Sequence, residues 1–184
     1  MTTDLFAGRM LSGERVLWSG QPRQGLMLMP RDALLIPFSL MWCGFAIFWE
    51  VSVTNQRAPG FFPLFGAMFV CVGLYFVVGR FLFDAWLRRD MAYAVTDRRV
   101  LIARPAPFAR FIAISLERLP DVRLDEGSGG RGTIQFGQSA TRWGNQGLGN
   151  LTPALDPTPR FLAIGDARRV FDLIQRTSAP RVSR

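Results

Sequence analysis

The sequence predicts a membrane α-helical hairpin joined to an α+β domain, in which an antiparallel sheet is closed by a C-terminal helix. Three observations carry this: two long apolar runs in close succession, a series of short β-rich segments after them, and one amphipathic helical stripe near the C-terminus. With 184 residues, the chain has room for one ordinary soluble domain beside a hairpin of about 50 residues.

The first run, ALLIPFSLMWCGFAIFWEVSV at residues 33–53, carries a single charge, Glu50, near its far end. The second, FFPLFGAMFVCVGLYFVVG at residues 61–79, carries none, and apolar character resumes past Arg80 as far as Phe83. At about 1.5 Å per residue each run reaches roughly 30 Å, enough to cross a bilayer core. Two such runs in a soluble chain would leave far too much apolar surface unburied. A cleaved signal peptide does not fit either, because 32 fairly polar residues precede the first run.

The connection TNQRAPG at residues 54–60 carries only Arg57, whereas Arg23 and Arg31 precede the first run and Arg80, Arg88 and Arg89 follow the second. The positive-inside rule therefore places the short loop outside and both termini in the cytoplasm. Trp49, Trp86, Phe61 and Phe62 sit near the span ends, where such rings favour the interface. Pro37 and Pro63 are read in the first helical turns, where a missing N–H costs least. Ser39, Cys43 and Ala46 form a small-residue stripe, and Gly66 and Gly73 lie one heptad apart, a pattern that lets two helices approach closely. Glu50 reads as an interfacial carboxylate, with an ion path as the alternative.

Net charge is +8, and all 22 basic residues are Arg. The chain has no His, which removes imidazole acid–base work, His metal sites and Ser–His or Cys–His nucleophile pairs. Cys43 and Cys71 both lie in the apolar runs and read as packing residues. No catalytic, cofactor or metal constellation is evident.

In MAYAVTDRRVLIAR, residues 92–95 and 100–103 read as strands flanking a polar turn at Thr96, Asp97, Arg98 and Arg99. FIAISL at 111–116 is a third strand; extended structure resumes at 122–124, and a turn at 127–132 leads to a strand at 133–136. Gly127, Gly129 and Gly132 match the spacing of a dinucleotide fingerprint, but that motif needs a helix after the glycines and a strand follows here. Residues 137–159 are rich in Gly, Asn and Pro and read as a loop, where Arg142, Trp143, Leu148 and Leu151 either contact a ligand, partner or membrane or, for Trp143 and the leucines, cap the sheet. From Asp166, read as the cap, to Gln175, the residues Ala167, Val170, Phe171 and Ile174 form a helical stripe that faces the sheet. GERVLWSGQP near the N-terminus contains a short strand at 15–18, which joins or covers the later strands across the inserted hairpin.

The order GERVLWSGQP, two spans, YAVTDRRVLI, ISLERLPDVRL, GRGTIQFG and PRFLAIGDARRVFDLI resembles the bacterial pleckstrin-homology-like (PH-like) membrane proteins over nearly the whole chain. That resemblance implies a bent antiparallel sheet capped by a C-terminal helix, a bacterial cytoplasmic (inner) membrane location, and no catalytic residues. The expected division is an N-terminal cytoplasmic segment at 1–32, the hairpin at 33–86, the PH-like domain at 87–176 and a polar tail at 177–184.

The function expected is a membrane-anchored module that recruits a protein or recognises anionic lipid at the cytoplasmic face. Its partners are the bilayer, anionic phospholipid headgroups, an unidentified membrane or cytoplasmic protein, and a further copy of the chain; dispersed arginines argue against nucleic acid. Arg88, Arg89, Arg98, Arg99, Arg142 and Trp143 are the candidate lipid- or partner-binding residues. The alternative is a subunit, catalytic or not, of a membrane enzyme or transport complex, with Asp121, Asp125 and Glu126 as candidate acids or bases.

Overall fold

The computed structural model describes residues 6, 8–56, 59–127, 130–138 and 152–178. These form two units, one from Gly25–Ala85 and one from Met1–Gln24 together with Trp86–Arg184.

The first unit is built on two helices long and apolar enough to cross a membrane, α1 (Asp32–Asn55) and α2 (Phe61–Arg89), with the unit boundary inside α2. Only 17% and 11% of their most apolar windows is buried. Leu34, Phe45, Phe48, Phe61 and Leu64 are among the large apolar side chains left exposed. A soluble core helix would have buried them. What is buried is the small-residue stripe: Ser39, Cys43 and Ala46 on α1, and Gly66 and Gly73 on α2. A Cβ at Gly73 would lie 3.0 Å from the Cys43 Cα, so the two backbones approach closely there, and one at Gly66 would displace the Glu50 carboxylate and the Trp49 ring, 1.9 and 2.5 Å away. Because α1 starts at Asp32, Pro37 lies in its second turn, not the first.

The charged ends of this unit do not all face water. Arg80 and Asp32 are both buried, and Arg80 Nη1 donates to Asp32 Oδ1 at 2.8 Å. The second Asp32 oxygen accepts the Met29 N–H at 2.7 Å, so the same carboxylate closes the first turn of α1. Arg80 reaches Asp32 directly after a π-helical turn, Tyr75–Gly79. Such a turn leaves a backbone carbonyl short of its usual partner, and Arg80 Nε donates to the Phe76 carbonyl at 2.9 Å. The guanidinium also lies over the Phe81 ring, 4.3 Å from its centroid.

Among the described residues, the second unit holds seven strands in two antiparallel sheets. The first sheet has the order β1 (Val16–Gly20), β2 (Ala92–Thr96), β3 (Arg99–Arg104), β4 (Arg110–Ser115). The second has the order β5 (Val122–Glu126), β6 (Gly132–Phe136), β7 (Arg160–Ile164). The N-terminal strand thus pairs with β2 across the inserted residues, Gly20 opposite Tyr93. The sheets meet through aromatic rings: Phe161 stacks on Tyr93 at 4.7 Å and contacts Trp18 at 5.6 Å and Phe136 at 5.1 Å. The Tyr93 hydroxyl accepts the Leu162 N–H at 3.2 Å, which satisfies both buried polar groups.

Helix α3 (Ala167–Ser178) packs on the second sheet through Ala167, Val170 and Ile174. A Cβ at Gly132 would lie 2.8 Å from the Ala167 Cβ, so only glycine admits the helix this close to β6. Phe171, expected in the core with Ile174, is only half-buried at the edge of that stripe. Asp166 contributes through its backbone carbonyl, which accepts the Val170 N–H at 3.1 Å.

Removing one member of the buried pair leaves the other charge without its partner. Arg80→Leu is expected to destabilise the helix pair by about 3–5 kcal/mol, and the double change Asp32→Leu with Arg80→Leu to recover a large part of that loss. Unfolding of the full chain by sodium dodecyl sulfate, compared across both variants, reads the difference; equal losses would mean the two charges are not coupled.

Candidate arginine cleft

The four sequence-predicted arginines that lie among the described residues have different fates. Arg99 is the first residue after the Asp97–Arg98 turn and is held by Glu14, which is buried. Arg99 Nε donates to Glu14 Oε1 and Nη2 to Oε2, both at 2.8 Å, a two-pronged pair. Thr96 Oγ1 donates to Oε1 at 2.8 Å and the Leu11 N–H to Oε2 at 2.7 Å. The Arg99 hydrogen bonds dominate, and they outweigh burial in holding the Glu14 carboxyl down to about 2. Arg99 therefore fastens the N-terminal segment to the sheet and is not a charge presented to a lipid surface.

Arg88 is fully buried, with Nη1 donating to the Arg23 carbonyl. Gln24 Nε2 in turn donates to the Arg88 carbonyl at 3.2 Å. These bonds tie together the two stretches where the chain leaves and re-enters this unit. Arg89 and Arg98 are exposed. Arg142 and Trp143, with Leu148 and Leu151, lie outside the described residues. Asp121, Asp125 and Glu126 are all exposed, and the glycine-bearing turn beside them leads into strand β6.

The structure instead brings together three arginines that sequence reasoning did not single out. Arg104 closes β3 and Arg110 opens β4, and the register sets them directly opposite each other as the last pair of the ladder. Like charges in that position repel. Burial first, then the charge of Arg110, hold Arg104 below the ordinary guanidinium value. Arg160 opens β7 and faces the same cleft, whose floor includes Ile102, Ile112 and Leu162 and whose cavity volume is about 30 Å³.

Two of the three are braced. Arg104 Nε donates to the Phe108 carbonyl at 2.6 Å and Nη1 to the Ala154 carbonyl. Arg160 Nη2 donates to the Pro153 carbonyl and lies 3.0 Å from Asp156 Oδ2, while its buried Nε has no partner. Asp156 Oδ1 accepts the Thr158 N–H at 2.8 Å. Among the described residues lining the cleft, three guanidiniums thus face one carboxylate. The arrangement is suited to an anion that accepts several N–H bonds at once, such as a phosphate or carboxylate.

The cleft also has a defined place in the sheet. Gly20 at the end of β1, Ala92 at the start of β2, and the Arg104–Arg110 pair all lie at one end of the four strands. That is the end from which the chain departs to the helix pair and returns. The Asp97–Arg98 turn lies at the other end, about four residues or some 13 Å along β2. A sequence signal for this pairing existed: a tight hairpin closed by PAPFA sets the two arginines bracketing it against one another.

Comparison of the chain with protein-family models, with curated proteins and with solved structures finds no match.

The depressed Glu14 carboxyl makes a pH prediction. Its contribution to stability is present in full above the unfolded carboxyl value of about 4.5 and is lost as pH falls toward about 2. The acid limb of the full chain's thermal stability between those limits should flatten in Glu14→Gln. An unchanged acid limb would show that Glu14 does not bind Arg99 in solution.

Proposed function

We propose that the chain is a PH-like module held at the cytoplasmic face of a bacterial inner membrane by a two-pass hairpin, where its arginine cleft reads anionic headgroups. One feature supports the fold part of this reading. Where the resemblance implies one bent sheet, the chain forms an antiparallel sheet of four strands and one of three, joined by aromatic contacts, and the C-terminal helix on the second sheet is the feature in keeping with it.

The anchor reading rests on exposure. Two adjacent helices that turn most of their large apolar side chains outward need an apolar solvent, and a bilayer is that solvent. Arg23, Arg31, Arg88 and Arg89 still bias both ends inward after Arg80 is neutralised by Asp32.

The observation that carries the function is the cleft: three converging guanidiniums with one opposing carboxylate, at the end of the sheet nearest the chain's exit to the hairpin. A short tether keeps that end within reach of headgroups. Arg104 and Arg110 sit opposite each other against a local rule of sheet pairing, and a bound anion would relieve the repulsion. The headgroup reading is therefore preferred to protein recruitment, for which the described residues offer no comparable cluster of charge.

Reporter fusions after Arg57 and after Arg184 should fall on opposite sides of the membrane, with activity of a periplasmic reporter only at Arg57. A periplasmic C-terminus would overturn the orientation.

Binding is tested with the full chain in mild detergent, titrated with dihexanoyl phosphatidic acid below its micellar concentration and with dihexanoyl phosphatidylcholine as control. The acid should bind and the control should not, and Arg110→Gln should weaken the acid about tenfold, the equivalent of one charge-assisted contact of about 1.4 kcal/mol. Equal binding of both lipids, or no loss in Arg110→Gln, would remove the headgroup reading and leave protein recruitment.

A further inference from the structure

The β3–β4 connection stands apart from the other turns of its unit. Asp97 and Arg98 make the β2–β3 turn polar, and the described part of the β5–β6 turn is glycine with Arg131. Residues 105–109, by contrast, read Pro-Ala-Pro-Phe-Ala, without a charge or a hydroxyl. Ala106, Pro107, Phe108 and Ala109 are all exposed, Phe108 to 43%. Four consecutive exposed apolar residues are a fault in a water-facing turn unless something covers them.

The loop is held in shape. The β3–β4 ladder runs right to its base at Arg104 and Arg110, and Arg104 Nε is bonded to the Phe108 carbonyl from below. An apolar tip above a collar of guanidiniums has the polarity order of a bilayer interface: phosphates at the level of the arginines, acyl chains about 5–10 Å beyond them. The loop is also at the end of the sheet from which the chain leaves for the hairpin.

We propose that residues 105–109 form a wedge that inserts Pro107 and Phe108 into the inner leaflet while Arg104 and Arg110 engage anionic headgroup phosphates. This rests on the headgroup reading above and extends it, since the cleft would then take its ligand from the membrane and not from solution. A protein partner would have to match both the apolar tip and the arginine collar, whereas an anionic leaflet presents both as its ordinary structure.

The test uses the full chain with Cys43→Ala and Cys71→Ala, spin-labelled through Phe108→Cys, in nanodiscs of phosphatidylcholine with or without phosphatidylglycerol. A label at Arg98→Cys, at the opposite end of the strands, serves as the aqueous reference. In anionic discs the label at 108 should collide several-fold more with oxygen than with a water-soluble nickel chelate, relative to the reference. The contrast between anionic and neutral discs should shrink in Arg110→Gln.

Nickel access at 108 equal to that at 98 in anionic discs would overturn the wedge. Equal immersion in neutral and anionic discs would overturn the part assigned to the arginines. A water-exposed label combined with intact binding of the short-chain acid would sink the wedge while leaving the cleft. Immersion without such binding would sink the cleft reading alone.

Discussion

Pairing of β1 with β2 is the constraint on which the rest of the molecule depends. The two strands are hydrogen-bonded neighbours in one sheet, yet the whole Gly25–Ala85 unit lies between them in sequence. A segment inserted between adjacent strands must begin and end on the same side of any membrane, so it can cross only an even number of times. Two helices are the minimum that meets this condition, and two are what the apolar pattern contains. Closing so long a loop carries an entropic cost that grows only slowly with length, and the fixed contacts at its base offset it. Arg88 bonded to the Arg23 carbonyl, and Gln24 bonded to the Arg88 carbonyl, are those contacts.

The same constraint explains why the helix pair needs an internal lock. The large apolar side chains of the pair point outward, so they do not decide how the two helices meet, and close packing and polar contacts must. Glycine at 73 supplies the close approach, and the Asp32–Arg80 bond fixes the register at one end. The π-turn before Arg80 shifts the guanidinium's position around the helix, and the guanidinium satisfies the Phe76 carbonyl within that turn. One side chain thereby serves both the backbone and the charge partner.

Much of this was legible in the sequence, and the gaps have physical causes. The apolar runs, the packing stripe, the N-terminal strand and β2 through β6 follow from composition and local periodicity, which are short-range signals. Strand β7 escaped because Arg160–Ile164 follows a Gly-, Asn- and Pro-rich stretch that dominates its surroundings. Asp32 and Arg80 read as flanking charges because their pairing joins residues 48 apart. Phe171 was given too much weight: a helix stripe one residue wide of its centre leaves the larger side chain at the edge and Val170 and Ile174 inside. The cleft was missed for a related reason, since Arg160 comes to Arg104 and Arg110 only when the second sheet folds against the first.

A net charge of +8 therefore says less about the surface than it suggests. Arg80, Arg88, Arg99 and Arg160 are committed to carboxylates or carbonyls within their own units. For Arg80, Arg99 and Arg160 the planar fork meets two acceptors or an acceptor and a ring, which the single ammonium of Lys would not reproduce. An all-Arg composition, whatever its origin, is thus used structurally. Pairing with buried carboxylates also removes Arg80 and Arg99 from the pool that could attract an anionic surface. The arginines of the cleft are different in kind, because Arg104 and Arg110 are set against each other and Asp156 answers only Arg160. Charge that folding leaves uncompensated at one end of a sheet is more informative than charge counted along the chain, and here that end is the one from which the chain leaves for its hairpin.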